Sequence, residues 1–186
     1  DAGLVAHTPD GVTVFEAALD TVQNPGDLAP GTSNGSLAFL PGETANGTVA
    51  GSVTGGVGAL TYSIAGTADA NGNVQGQYGL IHMNADGTYT YTLTNAPKVE
   101  GIGTTESFAV VTTDSAGNHA VSQLTINIVD DSPSAVHDAS TVTEGLFGTG
   151  NVLANDIAGA DGFGSVVGVK AGSSASTDSL SGGVGS

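Results

Sequence analysis

Strict alternation of apolar and polar residues marks the strongest elements. In Gly87–Leu93 (GTYTYTL), Thr88, Thr90 and Thr92 fall on one face, and Tyr89, Tyr91 and Leu93 on the other. That period of two is the signature of a strand with one buried face. It recurs in Ser107–Thr112 and in Ala120–Val129, where Leu124, Ile126 and Ile128 share a face with Ser122. Val12–Phe15, Gly47–Val53, Ala59–Ile64 and Tyr78–Met83 read as further strands. Asp86-Gly87, Asn71-Gly72, Asn46-Gly47 and Ala116-Gly117-Asn118 supply the residues that turns with positive φ demand. Only Phe15–Asp20 could form a short helical turn. Many short strands separated by Gly-rich turns predict an all-β antiparallel sandwich.

The pattern changes at two places. Residues 20–46 are rich in Gly, Pro, Asn and Ser and predict a long ordered insertion, in which Leu37, Phe39 and Leu40 are expected to pack. Past Asp130-Asp131-Ser132-Pro133 the chain starts over, with Thr141-Val142-Thr143-Glu144 echoing Thr13-Val14-Phe15-Glu16. Residues 1–131 therefore read as one sandwich. Residues 132–186 read as an incomplete second β module, split or truncated, with strands at Thr141–Val142 and Ser165–Lys170.

Composition then narrows the chemistry. The 186 residues carry 18 Asp and Glu against two lysines, a net charge of −16. Two lysines cannot neutralise a nucleic-acid backbone or dock on an anionic membrane. No apolar run is long enough to insert in a bilayer. Without cysteine there is no disulfide, thiolate metal site or cysteine nucleophile. No nucleophile elbow, phosphate-binding loop or H-E-x-x-H pattern is present, and His7, His82, His119 and His137 have no metal-site spacing, so no enzyme is expected. With only 11% charged residues and 39% apolar ones, the chain is not an acidic disordered tail.

Many hard carboxylate oxygens with almost no basic partners point to Ca2+. Asp130, Asp131 and Asp138, with Glu16, Glu144 and Asp114, are candidates to ligate it jointly at the module junction; the alternative is a solvated acidic linker. Asp69, Asn71 and Asn73 have the D-x-N-x-N spacing of a calcium loop, although position twelve is Leu80 and not Glu, so an Asx-rich turn is the alternative. Asp86 belongs foremost to its turn, and Asn155, Asp156 and Asp161 could form a loop site in the second module.

Several motifs in order carry a family resemblance. Gly76–Asn95 (GQYGLIHMNADGTYTYTLTN), Glu106–Val111, Asp114–Asn118, Leu124–Val129 and Asn151–Asp161 (NVLANDIAGAD) resemble the VCBS and cadherin-like repeats of large bacterial adhesins. The resemblance implies a cadherin/Ig-like sandwich on the bacterial cell surface or outside the cell. It also implies export by type I secretion with RTX repeats, and a role in adhesion or biofilm. Such modules either bind a peptide or glycan ligand with the help of Ca2+, or serve as calcium-rigidified extenders contacting only neighbouring modules of the same chain. The insertion and the broken second module favour the binding role, with loops 20–46 and 66–77 as the suspected ligand contacts.

Overall fold

The computed structural model describes residues 3–20, 26–97, 103–141, 143 and 145–163. The expected strand Ser165–Lys170, and Glu144 and Val142, lie outside the described residues.

The described residues form ten strands: β1 (Val5–Ala6), β2 (Thr13–Phe15), β3 (Thr44–Thr48), β4 (Val53–Thr54), β5 (Thr61–Ile64), β6 (Asn73–Gln75), β7 (Gly79–Met83), β8 (Thr88–Leu93), β9 (Thr104–Thr113) and β10 (His119–Val129). One sheet has the order β2-β10-β9-β5 and the other β3-β8-β7-β6; β1 and β4 make a small ribbon. All pairings are antiparallel except β2 with β10, which run parallel. The architecture is an all-β sandwich. The only helical piece among the described residues is a 3-10 turn at Glu16–Ala18, within the expected Phe15–Asp20.

The alternation seen in sequence is the alternation of burial. Val14, Phe108, Val110, Leu124, Ile126 and Ile128 from one sheet face Ile81, Tyr89, Tyr91 and Leu93 from the other. Tyr91 and Phe108 meet edge to face, centroids 6.0 Å apart, the geometry that ring quadrupoles prefer. The Tyr91 hydroxyl donates to Glu106 Oε2 at 2.6 Å, which satisfies both groups in the interior.

Three hairpin turns share one construction. In Asp69–Asn73, Asn84–Thr88 and Asp114–Asn118, the first residue's N–H donates to the fifth residue's carbonyl, and the fourth residue's N–H to the first residue's carbonyl. The fourth residue is always glycine, with φ of +82° to +89°. This is the three-residue hairpin loop that needs a left-handed residue at its end.

Asn46-Gly47 does not make the expected turn. It lies inside β3, in register with Thr90 and Tyr89. Gly47 is there because of space: a Cβ would sit 2.5 Å from the Tyr89 ring. Gly79 plays the same part, since a Cβ would strike the Thr92 carbonyl and sit 2.5 Å from the Tyr91 ring. Gly79→Ala is expected to destabilise the fold by about 1–3 kcal/mol through overpacking. A denaturant melt with an unchanged midpoint would show that the rings yield freely.

The insertion is ordered where described, but not as a hydrophobic plug. Leu37 and Leu40 are more than two-fifths exposed and Phe39 is 74% exposed, so the expected packing of these side chains is not found. Backbone bonds hold the segment instead: Gly35 N–H to Leu19 O (2.8 Å), Leu37 N–H to Ala17 O (2.7 Å) and Ala29 N–H to Thr94 O (2.8 Å). Beyond Asp131 the described residues form one isolated bridge, Ser134 with Ile157, and Thr141 is not in a strand.

Candidate functional site

The parallel register of β2 and β10 creates the site. Phe15 pairs with Val129. The residues that follow each strand, Glu16 on one side and Asp130 and Asp131 on the other, are therefore delivered side by side. Glu16 is buried at 1% exposure, and Asp131 N–H donates to its Oε2 at 3.3 Å. The Glu16 carboxyl is pushed up from 4.5 to about 7. Burial is the main cause; the Asp131 N–H bond opposes it, and the neighbouring carboxylates of Asp130, Asp161 and Asp131 add to it.

Asp131 joins three segments. Its Oδ2 accepts from Ser36 N–H (2.8 Å) and from Ala160 N–H (3.0 Å), and its Oδ1 accepts from the Ser36 hydroxyl (2.6 Å). The insertion, the end of β10 and the segment after it thus meet at one carboxylate. Ala160 is buried there and counts among the core residues. Gly35 lets the insertion approach, because a Cβ would collide with the carbonyls of Glu16 and Ala17.

Of the residues singled out from sequence, the structure brings Glu16, Asp130, Asp131 and Asp161 together. Asp114, expected at the same junction, instead organises the β9–β10 hairpin. Its carboxylate accepts from Ala116 N–H, Asn118 N–H, Asn118 Nδ2 and Val57 N–H, which hold its pKa down at about 2. Asp69 does the same in its own turn, accepting from Asn71 N–H, Asn73 N–H and Asn73 Nδ2. Asp86 accepts from the Thr88 N–H and hydroxyl. Asp156 Oδ1 accepts from Val136 N–H at 2.7 Å, beside the Ser134–Ile157 bridge. Asp138 is exposed. Among the described residues, no three His, Cys, Asp or Glu side chains are already gathered as a metal cage.

A second acidic group is assembled only by the fold. Asp20 and Glu43, both buried, bracket the insertion, and Asp20 N–H donates to Glu43 Oε2 at 3.2 Å. Asp27 stands close enough for its carboxyl to be pushed up, by burial first and then by Asp20. The available signal was positional: two acids sit at the two ends of an inserted loop. Nothing in the sequence marked Ser36.

No protein-family model matches the chain. It is similar to the calcium-binding lectin RapA2 of Rhizobium johnstonii, with 38% identity over 119 residues, covering 56% of this chain and 50% of that protein. The chain thus spans about half the length of this relative.

Proposed function

We propose that this chain is a calcium-dependent, carbohydrate-binding module of an extracellular adhesin, working by binding and not by catalysis. The observation that carries it is the junction: buried Glu16 beside Asp130, Asp131 and Asp161, with no lysine or arginine among the described residues. The similarity to a calcium-binding lectin supports both the ion and the ligand class.

The donor set fits Ca2+, which takes six to eight hard oxygens and tolerates irregular geometry. Glu16, Asp130, Asp131 and Asp161 would hold it, with Asp138 and Glu144 as further candidates from the following segment. The ion would supply positive charge that offsets the repulsion among these carboxylates. The protein's own part is positional. Asp131 fixes the insertion through Ser36 and the following segment through Ala160. The loop that would meet a glycan is thereby tied to the ion's site.

A second reading, a calcium-rigidified extender with no ligand of its own, is favoured by Asp131, which ties the insertion and the following segment to the end of β10. A glycan array probed with and without EDTA separates the two. The lectin reading predicts glycans bound in millimolar-range Ca2+ and released by EDTA. Calcium-dependent stability with no glycan bound would assign the extender role.

A further inference from the structure

Beyond β10 the chain leaves the sandwich and comes back to it. Asp131 Oδ2 accepts from Ala160 N–H at 3.0 Å. Three residues further out on each side, Ser134 and Ile157 exchange both backbone hydrogen bonds, each 2.9 Å. Val136 N–H adds a bond to Asp156 Oδ1 at 2.7 Å. Gly159 allows the close approach, since a Cβ there would lie 2.1 Å from the Asp131 carbonyl oxygen, and its φ is +62°. Ala160 is 2% exposed and packs against the core. Residues 132–159 are thus a loop of 28 residues whose two ends are fastened side by side. From Ser134 to Ile157 none of the described residues is buried. The described part of the loop adds no core of its own, and such segments open locally at little cost.

Two fastenings therefore lie in series along the chain, and a pull loads them differently. β2 and β10 run parallel, with Thr13 opposite Asn127 and Phe15 opposite Val129. Tension that enters before Thr13 and leaves after Val129 draws these strands in opposite directions along their length. That is shear, and the ladder bonds stretch together. Ser134 and Ile157 are paired antiparallel. Tension between Asp131 and Ala160 enters both segments on the same side, so their bonds stretch one after another. Forced opening is governed by the barrier to be crossed, and breaking bonds singly crosses a lower one.

We propose that the 132–159 loop is stored length. Under tension along the chain its fastening opens first, while the sandwich stays folded. At 3.3–3.6 Å per residue it releases roughly 90–100 Å of chain. The mechanics need neither ligand nor ion. Only their use, as a buffer against tension, rests on the adhesin reading. In the calcium-bound form proposed above, Asp131 and Asp161 stand at the two ends of the loop, so the ion ties the fastening and raises its opening force.

The test is single-molecule force extension of the full chain, held by peptide tags fused to its two ends, in EDTA and in Ca2+. Expected is a first, low-force step of roughly 90–100 Å that recloses on relaxation, followed by a separate, longer step as the sandwich unfolds. The chain has no cysteine, so Ser134→Cys with Ile157→Cys creates a single pair. Facing strand residues stand about 5.5 Å apart at Cα, which a disulfide spans. Oxidation is expected to cut the first step to roughly 20 Å and reduction to restore it, with the sandwich step unchanged. If that variant fails to fold, the length and order of the steps in the native chain still decide. A first step of equal force in EDTA and Ca2+ would support the loop and count against the calcium reading. A single step, a sandwich that unfolds ahead of the loop, or a first step of full length in the variant with its disulfide verified by mass, would each overturn the proposal.

Discussion

In calcium-free buffer, Glu16→Gln is expected to raise the melting temperature at pH 8 by about 10 °C and to change little near pH 5. Glu16 titrates at about 7 in the folded protein against 4.5 for the free group. The folded state therefore binds the proton more tightly than the unfolded chain does. The stability this provides is fully present below 4.5 and is lost as pH rises through about 7, in total about 3 kcal/mol. At 2–4 °C per kcal/mol for a chain of this size, that gives the stated shift. Glutamine keeps the neutral form at every pH, so the variant's pH profile should flatten. The same substitution removes a carboxylate from the proposed calcium site, so any calcium response should shrink. A variant less stable than wild type at pH 8 without calcium would mean that the ionised carboxylate is already well solvated or paired.

Asp131→Ala has the second large effect, and it is local as well as global. The substitution removes three acceptor contacts, from Ser36 N–H, the Ser36 hydroxyl and Ala160 N–H. Hydrogen bonds to a charged group contribute about 1.5–3 kcal/mol each when buried, but these are partly exposed, so a total of about 2–4 kcal/mol is expected. The insertion and the 157–161 segment should loosen before the sandwich does. Limited proteolysis should then cut within residues 26–43 while the β9–β10 hairpin stays protected. Asp131→Asn, which keeps an acceptor oxygen, should fall between. Cleavage at the same rate as wild type would show that the backbone bonds from Gly35 and Leu37 suffice to hold the loop.

Sequence legibility followed physical cause. β8, β9 and β10 were readable because each is long, has one buried face and therefore alternates. The hairpins at Asp86-Gly87 and Gly117 were readable because glycine is needed for positive φ. Asn46-Gly47 misled because a glycine can also answer to a neighbour's bulk, here the Tyr89 ring, and a dipeptide does not say which. β1 and β6, two and three residues long, carry too little pattern to show. Leu37, Phe39 and Leu40 misled because apolar residues in an insertion need not be buried when the backbone is held by hydrogen bonds.

At the site, Glu16 with Asp130 and Asp131 was legible as acids flanking two strands. Their meeting depends on the parallel β2–β10 register, which alternation alone does not reveal. Asp161 was assigned to a separate loop and arrives at the junction through the docking of Ala160. Burial, which spacing does not show, is what makes Asp20 and Glu43 unusual. Asp69 and Asp114 shared the D-x-x-G-N turn, whose hydrogen-bond geometry uses the same residue types as a calcium loop.

Carboxylates at the Glu16–Asp131 junction are proposed to bind Ca2+ and so to lock the insertion to the sandwich. The most direct measurement is a thermal melt at pH 7.5 in EDTA, in Mg2+ and in Ca2+, on the wild type and on Asp131→Ala. An ion at a hundredfold excess over its dissociation constant stabilises the native state by about 2.7 kcal/mol. The melting temperature is expected to rise with Ca2+ but not Mg2+, and the rise to be lost in Asp131→Ala. A melt indifferent to Ca2+, or a calcium response that survives in the variant, would contradict it.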